Sequence, residues 1–425
     1  MNKISAGENR LLLYYIIMML PLVLITTPDA SYSMIIRLGY FGLLVLPLVS
    51  YPKFTPFVFL AFYGFCDNAC SCFLPDSFII RFGVLLALLL LYGRNAKIDL
   101  RHFSPYLLLY LYALVICLIY SDTDNLFIKT AFFSLFLVPF IQDERDVSRL
   151  ALGFILMAVA LSVSYYINFK YFAFDYGISE DYERGSWQNL NVLGAAIGCG
   201  LPLVIAMIMD VIPVDNKRLY RIPLIASGVF ILITILAVGS RGAFISSVSS
   251  TLLLLVFSNR LKKKNKIMLL VGTVIVVAAL FYFNFFDLVF YRLTNTDYSG
   301  TTESFGGRGA IWTTKIGAFS QLDFASNMFG IGRANTINLG VYYSTHNDYV
   351  TALIAFGYIG LLLFLSFLLY PIFKGGLKGK KEVFSLLFFL LLECMVVEPF
   401  FRGYFLIWVF YIMINKMAFL KAGKA

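Results

Sequence analysis

Ser344-Thr345-His346-Asn347-Asp348-Tyr349-Val350-Thr351-Ala352-Leu353-Ile354-Ala355-Phe356-Gly357-Tyr358-Ile359-Gly360-Leu361 is where the one long polar stretch of the chain gives way to an apolar run. The run continues to residue 370. That is enough to cross a bilayer as a helix, which takes roughly 17–25 mostly apolar residues. Residues 287–345 precede it as a wet segment. One of the two histidines of the chain, His346, stands at the junction.

The same pattern repeats along the chain. Apolar runs fall at residues 11–27, 34–50, 54–66, 78–92, 104–120, 126–141, 148–169, 187–212, 221–239, 242–257, 266–286, 346–370, 383–399 and 403–418, about fourteen in all. They are continuous rather than alternating, which selects helices over a transmembrane barrel. Composition agrees, with 60% of residues hydrophobic and 14% charged, where soluble domains keep about 25% charged. The expectation is an all-α polytopic membrane protein of about 12–14 transmembrane helices in a single integral membrane domain over residues 1–425.

The formal charge of +10 sits mostly in short loops between the runs. It reads as a topology signal, with no nucleic-acid partner implied. Placing the N-terminus in the cytoplasm puts Arg94, Lys97 and Arg101 inside, with Lys217, Arg218, Arg221, the cluster from Arg260 to Lys266 and that from Lys374 to Lys381. About twice as many Lys and Arg then lie inside as outside. Both termini are cytoplasmic in this arrangement, and residues 287–345 form one large loop on the far face. The first run follows Lys3 and Arg10. Only Thr27-Pro28-Asp29 follows it, so it reads as a retained helix rather than a cleaved leader. Cys66, Cys70 and Cys72 share one short loop, where a disulfide can form if that loop faces an oxidising compartment.

Chemistry-bearing residues collect on the outer face. Ser240-Arg241-Gly242-Ala243 interrupts two apolar runs. An arginine at the bilayer centre costs about 2.5–3.5 kcal/mol even on insertion scales, so Arg241 marks a turn at the interface, as a snorkelling residue or as an anion ligand. A guanidinium offers a rigid fork that matches phosphate oxygens. Arg308 follows two glycines and opens an amphipathic stretch in which Trp312, Ile316 and Phe319 recur at helical spacing. His346 is a cap or interface residue, or a base, since its ordinary pKa leaves the ring neutral at pH 7. Glu398 and Arg402 flank a tight turn and are spaced to pair. Asp122-Thr123-Asp124 has a form that can hold a divalent ion, and such triplets are common in solvated loops. Glu393 has no evident partner in the sequence.

These residues together resemble the superfamily of O-antigen ligases and O-antigen polymerases, bacterial inner-membrane glycosyltransferases. The resemblance runs from Trp187 to Trp408. Its pieces are Gly185-Ser186-Trp187-Gln188-Asn189-Leu190-Asn191, Ser240-Arg241-Gly242-Ala243, Gly307-Arg308-Gly309-Ala310-Ile311-Trp312, Gly330-Ile331-Gly332, His346-Asn347-Asp348-Tyr349 and Phe356-Gly357-Tyr358-Ile359-Gly360-Leu361, in family order.

The resemblance implies a GT-C-like fold and a glycan carried on undecaprenyl diphosphate. The glycan passes at the periplasmic face to a sugar hydroxyl of an acceptor glycolipid, with inversion and without a metal or other cofactor. Arg241 and Arg308 would hold the diphosphate, with Arg333 or Arg402 as a third cation. His346 would be the general base. Glu398 would position the acceptor or the arginines. Trp312, Tyr342, Tyr343 and Asn347 would contact substrate.

Three readings remain open. A polymerase joins lipid-linked repeat units, with a chain-length regulator as an implied partner. A ligase moves a finished glycan to lipid A–core. A flippase moves lipid-linked sugars between leaflets, but it would show polar residues near the midplane and internal repeats, neither of which the sequence displays. The helix count favours the polymerase.

Overall fold

The computed structural model describes residues 6–24, 34–63, 78–92, 103–122, 126–167, 190–214, 217–258, 308–342, 344–374, 380–402 and 404–422, with a few positions between 264 and 278. These residues form helices and connecting turns, with no strand among them. Most of the apolar run at 266–286, the loop residues 287–307, His102, Asp124, Tyr343 and the three clustered cysteines lie outside the described residues.

The helices follow the apolar runs closely. They are α1 (Ala6–Leu24), α2 (Met34–Val45), α3 (Phe78–Tyr92), α4 (Ser104–Ile119), α5 (Leu126–Leu135), α6 (Glu144–Ile167), α7 (Leu190–Gly198), α8 (Gly200–Ile208), α9 (Lys217–Val238), α10 (Arg241–Phe257), α11 (Arg308–Ser320), α12 (Phe324–Phe329), α13 (Arg333–Thr336), α14 (Asp348–Lys374), α15 (Lys380–Val396) and α16 (Phe405–Ala422). Residues 52–63 form a short coil of 3-10, α and π turns. Among the described residues, five segments are long and apolar enough to cross a membrane: Glu144–Ile167, Asn191–Ile208, Tyr220–Val238, Asp348–Lys374 and Phe405–Ala422. Shorter apolar helices accompany them. The chain is therefore a multi-pass, all-α membrane protein.

The described residues divide into two compact units. The first comprises Met1–Ile98 and Phe133–Leu270. Its α6 begins with a reciprocal cap. Asp143 Oδ1 accepts from the backbone N–H groups of Arg145 and Asp146, both at 2.9 Å, and Asp146 Oδ2 accepts from the N–H of Asp143 at 3.2 Å. Arg149 then bridges Asp146 at 2.6 Å and Glu8 at 2.7 Å, tying α1 to α6.

Helices α7 and α8 form one apolar span with a slight break. Pro202 has no N–H to give the Gly198 carbonyl four residues back. The Ser247 hydroxyl of α10 donates to that carbonyl instead, at 3.0 Å. Such close approach needs small residues, as is common between membrane helices. A Cβ on Gly194 would lie 2.5 Å from Ser240 Cβ, and one on Gly198 would lie 2.5 Å from Ser247 Oγ.

The second unit comprises Asp99–Phe132 and Val271–Ala425. Its centre is α14, which packs against α4, α12, α13, α15 and α16. An aromatic core of Phe127, Phe356, Phe364, Phe367, Phe400, Phe401 and Trp408 fills the space around it. Gly357 breaks α14 with φ of 69°. The break frees the Ile354 and Ala355 carbonyls from their helical partners. They accept instead from Ile331 N at 3.1 Å and Gly332 N at 3.0 Å. Only glycine allows this crossing, because a Cβ on Gly357 would meet the Met328 carbonyl oxygen at 2.3 Å.

Candidate active site

Two chain segments meet in the second unit: residues 344–351, which lead into α14, and the turn 397–402 between α15 and α16. Helix α14 starts where it does because Asn347 caps it. The Asn347 side-chain oxygen accepts from Tyr349 N at 2.9 Å and Val350 N at 3.1 Å. Asp348 is fully buried, and its carboxylate accepts from Phe400 N at 3.0 Å and Phe401 N at 3.1 Å. That pair of bonds fastens the turn to the helix start.

Glu398 is the hub of the turn and is 4% exposed. Its Oε1 accepts from Thr351 Oγ1 at 2.6 Å and its Oε2 from Ser344 Oγ at 2.8 Å. Arg402 Nε lies 3.6 Å from Glu398 Oε2. Arg402 Nη2 donates to Ser344 Oγ at 3.0 Å and reaches His346 Nδ1 at 3.2 Å. His346 and Glu398 both hold left-handed backbones, with φ of 49° and 62°. A non-glycine residue in that region costs of order 1–3 kcal/mol and persists only where the surroundings over-determine it, commonly at functional sites. Here the caps, the Asp348 bonds and the hub supply that determination.

Arg308 opens α11 and approaches the same place from another direction. Its Nη1 donates at 2.7 Å to the carbonyl of Val396, the last residue of α15. Helix α11 is itself fixed at two points. The Trp312 indole donates to the Thr345 carbonyl at 2.6 Å, directly before His346. The buried Lys315 places Nζ among four carbonyls, those of Thr336, Ile337, Leu339 and Val341, at 2.5, 3.1, 3.2 and 3.0 Å. Burial pulls its pKa down, while Glu398 pulls it the other way. Phe319, Val350 and Ile354 pack beneath as a small apolar core.

The electrostatics favour an anion. Two guanidinium groups stand near the Glu398 carboxylate, the second acid, Asp348, is turned onto the Phe400 and Phe401 amides, and the imidazole adds no charge. Burial, then Arg402, then Arg308 push the His346 pKa from 6.5 down to about 3.

Of the residues expected from sequence, the structure brings His346, Arg308, Arg402 and Glu398 together. Trp312 and Asn347 stand beside them and serve to fix the frame, the first through Thr345 and the second as a cap. Tyr342 is 78% exposed. Arg333 opens α13 and is half-buried, outside this hydrogen-bond cluster. Arg241 opens α10 in the first unit, after Gly239 at φ 66° and the extended Ser240. The turn expected there is present. Ser240 Oγ donates to Asn191 Oδ1 at 3.4 Å, so two motif pieces of the first unit meet as well. Sequence reasoning missed Ser344, Thr351, Asp348 and Lys315. Only Asp348, an acid at the mouth of an apolar run, left a usable signal.

Residues 226–365 match the family described as O-antigen ligase. No curated protein matches the chain. The resemblance to the O-antigen ligase and polymerase superfamily therefore holds over about a third of the chain, a segment that carries Arg241, Arg308, Arg333 and His346. Glu398 and Arg402 lie beyond the matched segment.

Proposed function

We propose that this protein is a polysaccharide polymerase of the bacterial inner membrane. It takes a glycan from undecaprenyl diphosphate and joins it to a sugar hydroxyl of a second lipid-linked unit at the periplasmic face. The reaction inverts the anomeric carbon and uses no metal. Both termini lie in the cytoplasm, residues 287–345 form the periplasmic loop, and a chain-length regulator is the expected protein partner.

The observation that carries this reading is the meeting of Arg402 with His346 and Glu398, and of Arg308 with the Val396 carbonyl beside that turn, at the start of an apolar helix. A lipid diphosphate is a good leaving group whose charge must be held as it departs. Guanidinium groups at a lipid–water boundary suit that task. His346 is the group that touches the reacting oxygens, and Arg241 and Arg333 are further diphosphate ligands. Tyr342, Tyr343 and Trp312 offer faces to sugar rings.

A second reading is favoured by the family description itself: a ligase that transfers the finished glycan to lipid A–core. Reconstitution in proteoliposomes with a synthetic undecaprenyl-diphosphate repeat unit and EDTA separates the two. A ladder of lengthening glycans is the polymerase result. Transfer only after lipid A–core is added makes the protein a ligase. Movement of the donor between leaflets without either product overturns both.

A further inference from the structure

The hydrogen bond between Arg402 and His346 fixes more than a position. A guanidinium has donors and no acceptor. Nδ1 of His346 at 3.2 Å from Arg402 Nη2 must therefore be the bare, accepting nitrogen. In a neutral ring the proton is then on Nε2. The groups around the ring hold this arrangement. Arg402 is pinned by Ser344 and Glu398. The His346 backbone is pinned by Trp312 on Thr345 at one side and by the Asn347 cap at the other. Turning the ring over would set a C–H against the guanidinium.

From this geometry we infer that His346 works as a hydrogen-bond donor through Nε2–H to a diphosphate oxygen of the lipid-linked donor, and is not the base that takes the acceptor's proton. The ligand class follows from the company the ring keeps. Arg308, Arg402 and Nε2–H are all donors, and such a set fits an anionic oxygen better than a neutral hydroxyl that must lose a proton. Two charged side chains act on the ring, Arg308 from α11 and Arg402 from the turn. Burial first, and then the two cations, keep the ring neutral well into acid.

The inference rests on the glycan-transfer reading, and its step balances without a side-chain base. The acceptor hydroxyl oxygen bonds to the anomeric carbon as the bond from that carbon to the diphosphate oxygen breaks. The electron pair of the broken bond leaves on the diphosphate. The hydroxyl proton passes to a diphosphate oxygen, directly or through one water, and departs with it. A phosphate with a second pKa near 6 can accept that proton.

The test reads the ring itself. The full-length protein is labelled with [15N]histidine and placed in lipid vesicles. Subtracting the spectrum of His346→Gln assigns the signals, because the chain has two histidines. A protonated Nε2 with a bare Nδ1 at pH 7 is the expected result. A protonated Nδ1 with a bare Nε2, or a doubly protonated ring, overturns the inference. In the transfer assay, His346→Gln keeps a donor near the position of Nε2–H and should retain activity within about tenfold, while His346→Ala should lose about 10²–10³-fold, the loss typical of one removed donor. Gln as inactive as Ala, with donor binding intact in both, would also overturn the inference. The spectrum needs no activity. A chain with the expected tautomer and no transfer by the wild type would sink the glycan-transfer reading and, with it, the diphosphate role, while leaving the tautomer standing.

Discussion

Thr351, one turn inside α14, donates its hydroxyl to Glu398 Oε1 at 2.6 Å across 47 residues of sequence. This bond and the paired bonds from Asp348 to the Phe400 and Phe401 amides fix the turn 397–402 against the helix start. The position of Arg402, and through it the histidine, depends on that contact. Replacing Thr351 by Val keeps the shape and removes the donor. The buried carboxylate oxygen then loses its partner, which costs about 1–3 kcal/mol. Thermal unfolding in detergent measures the loss, and glycan transfer should fall with it as Arg402 gains freedom.

Arg308→Lys and Arg402→Lys keep the charge and lose the planar fork. Arg308→Lys should retain charge attraction for the donor but lose transfer about tenfold or more, because a compact ammonium lacks the spread of the planar fork, whose separate nitrogens can reach the Val396 carbonyl and a phosphate oxygen from one position. Arg402→Lys should cost more, since Ser344, Glu398 and His346 all share that guanidinium. Equal activity of the Lys variants and wild type in initial-rate assays would remove both from the diphosphate site.

His346 gives a pH dependence of stability. Its folded pKa, about 3, lies below its ordinary 6.5. Between those values the unfolded chain binds a proton that the folded chain refuses. The contribution is therefore fully present above about pH 6.5 and is lost as the pH falls toward 3. Melting temperatures at pH 7 and pH 5 should drop further for wild type than for His346→Gln. A matching drop in both would place the acid sensitivity elsewhere.

Gly357→Ala should be among the most damaging single-methyl changes in the second unit. The new Cβ would sit 2.3 Å from the Met328 carbonyl oxygen at φ of 69°. Overpacking of this kind costs about 1–3 kcal/mol, and the left-handed backbone adds its own cost. Folded yield after detergent extraction should fall sharply, whereas Gly83→Ala, with nothing within 4 Å, should behave as wild type.

Much of this was legible in the sequence, and particular residues show why. Continuous apolar runs mark helix positions because lipid forbids unpaired backbone, so α4, α9, α10 and α16 fall close to their runs. The break before Arg241 was legible for the same reason, as two spans cannot share a charged centre. What stayed hidden depends on contacts between distant residues. Asp348 bonds backbone amides some fifty positions away, and backbone donors leave no trace in residue identity. Asn347 reads as a substrate contact beside His346, while its oxygen is spent on the cap two and three residues ahead. Lys315 resembles a surface lysine of an amphipathic helix until its four carbonyls are seen.

That lysine has a further consequence. Its ammonium grips residues 336–341 through carbonyl oxygens alone, which every amino acid provides. Three side chains there and just beyond are exposed, those of Ile337, Asn338 and Tyr342. The loop can therefore exchange its outward residues without loosening its hold on the helix beneath. Divergence can rewrite the outward face of the loop while the cluster of Arg308, Arg402 and His346 keeps its shape.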